Sequence, residues 1–222
     1  MAEAYKSPRR STGRRDAPAP PGTPAAAREL RAQGRKTMRK LLDAGMRVFA
    51  ERGFHAARVD DIVRAARTSH GTFYLYFANK EELLRALAIQ CAHEMGALAG
   101  GLGEVQADAA GAAELRRFLE TFFSTYARFG PVLRAWMEGN VEDRETSQLG
   151  VVAFTDIAAA LGARMRDAGA RGDPATVAAL MALLERFAYF LVSRQLEFDS
   201  DALFDTVTLV VHRGFFGAPL AA

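Results

Sequence analysis

Along this chain apolar residues recur every three or four positions, and no useful stretch alternates in steps of two. Met38, Leu41, Leu42, Met46 and Phe49 make the first such stripe, with Arg35, Lys36, Arg39, Lys40 and Arg47 largely off it. A helix buries a stripe of this kind and leaves its charges in water. Gly53 follows where that helix should stop, because glycine takes the left-handed position after a C-cap without steric cost. Two short helices are predicted next, at about 60–66 and 70–76. Asn79, with Glu82 three residues on, reads as a capping box. It opens a longer helix with the stripe Leu83, Leu84, Leu87, Ala88, Cys91, Met95, Leu98 and Leu102, closed by Gly100, Gly101 and Gly103.

The periodicity continues to the end. Leu115, Phe118, Leu119, Phe122 and Tyr126 form another stripe, which Gly130-Pro131 should stop; Pro131 can open a short helix through Trp136. Val152, Phe154, Ile157, Leu161 and Met165 mark the next helix. Asp173-Pro174 is an N-cap followed by a first-position proline, predicting a helix to about Leu196. Asp199-Ser200-Asp201 opens the last, which ends near Gly214. The fold class is therefore all-α, with about nine helices.

Composition changes this picture at the N-terminus. Residues 1–24 hold five of the eight prolines and almost no large apolar groups, so they cannot offset their ordering entropy and read as a disordered basic tail. Half of the 222 residues are apolar, enough for a core. The single cysteine, Cys91, excludes an intramolecular disulfide and fits a cytoplasmic protein. No run of about 18 apolar residues suggests a membrane span, and the charged N-terminus lacks the apolar stretch of a secretory signal.

The net charge of +3 conceals an asymmetry. Residues 1–90 carry 18 Lys/Arg against 9 Asp/Glu, and residues 91–222 carry 11 against 17. A basic front suits a polyanion such as a phosphate backbone. A basic tail on an ordinary acidic domain fits the same numbers.

The stretch that separates these readings is Val59–Leu83, VDDIVRAARTSHGTFYLYFANKEEL. Ile62, Val63 and Ala66 can pack against Phe73 and Phe77. Two helices this short bury too little to stand alone, so those at 35–52 and 80–102 must brace them. The second would then expose Thr68, Ser69, His70, Thr72, Tyr74 and Tyr76, groups suited to phosphates and base edges. Gly71 would let its backbone come close to a groove.

The run SHGTFYLYFANKEEL resembles the signature of the TetR family of transcriptional regulators, over about 50 residues with the preceding helix. The resemblance implies three regions: a tail at 1–24, a helix-turn-helix DNA-binding domain at 25–79, and a ligand-sensing and dimerisation domain at 80–222. By position it places Thr68, Ser69, His70, Gly71, Thr72 and Phe73 on a recognition helix, and gives phosphate contacts to Tyr74, Tyr76 and Lys80. Arg35 is a further candidate. Arg67 stands where the family often has glycine, and is read as an extra phosphate contact. The usual Ser or Thr cap before the first short helix is missing near Ala57-Arg58, which Asp60 and Asp61 can partly offset against the helix dipole.

Beyond that motif the family implies an operator-binding homodimer, paired through the helices at about 174–196 and 201–214. The first of these is apolar on two faces, as burial on two sides requires. The family also encloses an inducer among the middle helices, so Phe122, Phe123, Tyr126, Trp136, Met137, Phe154, Met165 and Phe187 are candidate walls for a small hydrophobic, aromatic or fatty-acyl ligand. Tyr126, Arg134, Glu138 and Arg186 are candidate polar anchors. A DNA-binding protein without an inducer is one alternative, and an enzyme is the main rival class. An enzyme fits poorly: His93 and Glu94 do not face each other on a helix, Glu138 and Glu142 lack histidines at metal-ligand spacing, and Cys91 sits in a core stripe. No cofactor or metal is expected.

Overall fold

A computed structural model describes residues 32–140, 144–193 and 200–217. The expected tail at 1–24 and the opening of the first domain at 25–31 lie outside the described residues, as do Asp199 and Leu196. The described residues form eight helices: α1 Ala32–Ala56, α2 Val59–Ala65, α3 His70–Tyr74, α4 Lys80–Gly101, α5 Ala109–Met137, α6 Arg144–Asp167, α7 Pro174–Ser193 and α8 Ser200–Phe215. No strand occurs among the described residues.

Most ends have the expected chemistry. Gly53 interrupts α1 with φ 73°, the left-handed geometry that glycine tolerates. Asn79 caps α4 by accepting from the Glu82 amide at 2.8 Å. Glu82 reaches back one residue further than expected, to the Ala78 amide. Asp173 caps α7 through the Ala175 and Thr176 amides at 3.1 and 3.2 Å. The Thr176 hydroxyl adds a third bond, and together these hold the Asp173 carboxyl below its ordinary pKa.

One expectation fails. Gly130-Pro131 does not divide two helices; Pro131 lies inside the 29-residue α5. An interior proline costs about 3 kcal/mol. Here Phe129, Val132 and Ala135, at 1%, 0% and 1% exposure, anchor both sides of it in one core. Tertiary burial outweighs the local penalty.

Two cores result. The first joins α1, α2 and α3 to the early part of α4 (Leu83 to Cys91) and the end of α5. The second gathers Leu115–Tyr126 of α5 with α6, α7 and α8. Met95 and Leu133 pack against both. The packing boundary therefore does not coincide with residue 79: α5 is a shaft seated in both cores.

Candidate DNA-binding face and ligand cavity

The pair α2–α3 is assembled by side chains that satisfy backbone groups. Arg58 stands at the N-cap without a side-chain cap bond, and its amide donates to the Asp61 carboxylate at 3.3 Å. The same carboxylate meets Arg64 at 3.3 Å and Arg52 at 3.6 Å. α2 ends with the Thr68 amide bonded to the Val63 carbonyl at 3.0 Å, a closure that places Arg67 in the left-handed region at φ 51°. Ser69 then caps α3, accepting from the Thr72 amide at 3.1 Å, while the two hydroxyls lie 3.0 Å apart.

Arg67 thus occupies the glycine position of the turn. A left-handed residue with a Cβ costs about 1–2 kcal/mol, and glycine returns part of that as unfolded-chain entropy. Arg67→Gly should raise thermal stability slightly, by up to about 1 kcal/mol, yet weaken DNA binding. A lower melting temperature would contradict this reading of the turn.

The braces are α1 and α4. Lys80 donates to the carbonyls of Phe54, His55 and Ala57 at 2.9, 3.1 and 3.1 Å, with its Nζ 4.6 Å from the centre of the Phe54 ring. Arg47 reaches the Ala65 carbonyl at 3.2 Å and ties α1 to the end of α2.

One face of α3 turns outward. Ser69, His70, Gly71 and Tyr74 are exposed, and Thr68, Thr72 and Tyr76 are half-buried. His70 pairs with Asp60 across the turn. A Cβ at Gly71 would meet only the Ser69 hydroxyl, at 3.8 Å, so the helix surface there is open. Arg35, Lys36, Arg39 and Lys40 on α1, with Arg58, Arg64 and Arg67 around α2, are exposed as well.

Two sequence-based assignments need correction. Phe73 has no exposed surface and packs at 5.8 Å from Phe77, so it holds α3 in place and cannot reach a base. Lys80 directs its ammonium at three carbonyls around the C-terminal end of α1, where it stabilises a helix end, and in this geometry it has no proton left for the phosphate contact expected of it.

A cavity of about 360 Å³ opens between α4, α5, α6 and α7. Of the expected walls, Phe122, Tyr126, Trp136 and Phe154 line it. Met165 is fully buried in the second core instead, and Phe123 packs against Phe187 and Phe204 at 5.8 and 6.0 Å. These three expected walls, Met165, Phe123 and Phe187, are core packing. The side chain of Met137 lies outside the described residues. Of the expected anchors only Tyr126 lines the cavity. Arg134 and Glu138 line an open cleft between α1 and α5, and Arg186 lies over Tyr189 and Phe190.

Pattern reading misses Glu185, Cys91, Ser147 and Thr155 in the cavity wall. Glu185 has a signal: it is the one acidic residue in the apolar run Val177–Phe190. Burial pushes the Cys91 thiol up to about 12, against a smaller opposing pull from Arg128. Burial also raises the Tyr126 phenol, with Glu185 and Cys91 adding to it. Among the described residues no three His, Cys, Asp or Glu side chains gather to hold a metal.

Comparison with known proteins matches residues 41–87 to the tetR family of bacterial regulatory proteins. An uncharacterised HTH-type transcriptional regulator of Bacillus subtilis, YvdT, is 47% identical over 49 residues, covering 22% of this chain and 25% of that one. The fatty acid metabolism regulator protein of the same organism is 42% identical over 55 residues, covering 25% and 28%. The chain thus spans about a quarter of the length of these relatives. The TetR-family regulator PfmR of Thermus thermophilus shares the fold at a TM-score of 0.59 and 18% identity, over 78% of this chain and 97% of that one.

Proposed function

We propose that this chain, a TetR-family regulator by its DNA-binding segment and its fold, binds a palindromic DNA operator as a homodimer and leaves it when a small apolar ligand fills the cavity. One observation carries the first half: the outward face of α3, with its hydroxyls, His70 and the bare backbone at Gly71, is held open by braces on both sides. Such a helix fits a major groove, where side chains distinguish all four base pairs. Residues up to 79 read DNA in this account, and the remainder senses ligand and dimerises. Exposed Ser69, His70 and Tyr74, with half-buried Thr72, meet the groove and its phosphates, and Arg35 and Arg67 add backbone charge. The site is cytoplasmic, where the chromosome is, and no catalytic step is assigned.

Support for the dimer comes from solvent-exposed apolar surface on α7 and α8. Tyr189 and Phe190 on α7, and Leu209 and Val210 on α8, are exposed at 39%, 37%, 49% and 49%. Over its most apolar 18 residues α7 is only 22% buried within the protomer. A second copy related by a two-fold axis would cover both helices and set two α3 helices about 34 Å apart, one turn of DNA. Selecting bound duplexes from a random pool tests this, and a palindromic consensus is expected. A consensus without two-fold symmetry would contradict the dimer.

Trp136 links cavity to DNA face. It lines the cavity and also packs against the first core. It lies against Gly150, where an added Cβ would come within 2.5 and 2.6 Å of its ring atoms Cη2 and Cζ2. A ligand that displaces Trp136 shifts the end of α5, and with it α1 and the α2–α3 pair. Moving the population from 99:1 to 1:99 takes about 5.5 kcal/mol of differential affinity. Gly150→Ala should therefore mimic a bound ligand: operator affinity falls at an overpacking cost of about 1–3 kcal/mol. Unchanged operator affinity in a folded Gly150→Ala protein would remove Trp136 from the coupling.

A further inference from the structure

The wall of the cavity is lopsided in charge. Among the described residues sixteen line it, and of these Glu185 alone carries a formal charge. No lysine, arginine or histidine is among them. Glu185 stands at the mouth, since it also lines the outer groove between α6 and α7 together with Phe154, Thr155 and Met181. Among the described residues no basic side chain pairs with it. The basic residue of that outer groove, Arg166, donates to the Gly172 carbonyl at 2.8 Å and is not part of the cavity wall.

The remaining wall matches that sign. Phe122, Tyr126, Trp136 and Phe154 contribute four aromatic rings. Ring faces carry negative potential and attract organic cations, most strongly where water is excluded. Met95 and Met181 add soft, polarisable sulfur. Burial there opposes any unpaired charge, consistent with the raised Cys91 thiol and Tyr126 phenol, and Glu185 offers a partner to positive charge alone. A ligand carboxylate or phosphate would enter past Glu185 and find no cation, and an unpaired buried charge is costly.

We infer that the ligand of this cavity is a lipophilic organic cation, an apolar or aromatic body bearing one ammonium-type charge, held by the aromatic wall with its charge beside Glu185. A volume of about 360 Å³ suits a body of two or three fused rings or a branched equivalent. The inference rests on the reading of the cavity as the sensor site and specifies what that site senses. A free fatty acid, with its anionic carboxylate, fits this wall poorly by the same chemistry.

The test is calorimetric titration of the full chain near pH 7 with three probes sharing one ring system: (2-naphthylmethyl)trimethylammonium, 2-naphthaleneethanol and 2-naphthylacetate. The ammonium should bind at least about ten-fold tighter than the alcohol, and the acetate weakest, given a partly solvated charge pair with cation–π support. Glu185→Gln should lower ammonium affinity about ten-fold and leave the alcohol within about three-fold, a pattern that a general structural defect would not give. If the alcohol or the acetate binds as tightly as the ammonium, the charge assignment is overturned while the cavity remains a ligand site. Should the folded protein bind none of the three, this inference falls together with the sensor reading.

Discussion

Phe73→Ala should lower the unfolding free energy by about 3–5 kcal/mol, the usual cost of deleting a fully buried aromatic ring. The ring has no exposed surface and lies in a core with Ile62, Val63, Phe77 and Leu84. α2 and α3 have seven and five residues and little helical stability of their own. The loss should fall first on this pair, so DNA binding disappears at temperatures where the second core still melts cooperatively. Thermal unfolding followed by far-ultraviolet circular dichroism, beside duplex binding, checks both. A variant of native stability with selectively altered base preference would return Phe73 to the DNA face.

Lys80→Met should cost about 2 kcal/mol, because three carbonyls, two of them in partly buried bonds, lose their charged donor while the aliphatic body of the side chain is kept. The informative quantity is the salt dependence of operator binding. Each phosphate neutralised adds about 0.9 to the slope of log K against log salt. With its protons committed to Phe54, His55 and Ala57, Lys80 makes no direct phosphate contact, and the variant should flatten that slope by much less than one. A slope flattened by about one would establish the phosphate contact that the family resemblance implies and this geometry opposes.

That contrast shows where the sequence is legible. Helix starts are readable because caps are local: Asn79 and Asp173 each satisfy an amide two or three residues away. The outward face of α3 is readable because the alternation of Phe73 and Phe77 with polar neighbours allows one orientation against a core. Phe73 itself is misplaced when a motif position is treated as a contact, although burial follows from its apolar partners. Lys80 is misplaced because its partners lie 23 to 26 residues earlier, beyond any local pattern. Pro131 inside α5 is the same lesson in reverse, with local chemistry predicting a break and long-range packing removing it. The cavity is half legible. Aromatic stripes do not distinguish walls from core, so in the sequence Phe123, Met165 and Phe187 look equivalent to Phe122 and Tyr126. The lone acid at Glu185 is the clearer signal, since a carboxylate in an apolar run needs a partner or a purpose.

The face of α3 around Gly71 is the claim on which the regulatory account stands, and guanine N7 is the atom that tests it. N7 lies in the major groove, and its methylation blocks a helix seated there without altering the minor groove. With a duplex selected from a random pool, methylation at N7 should abolish binding at guanines inside each half-site, and His70→Ala should relax preference at one of those positions. Binding that tolerates N7 methylation throughout both half-sites would contradict the account.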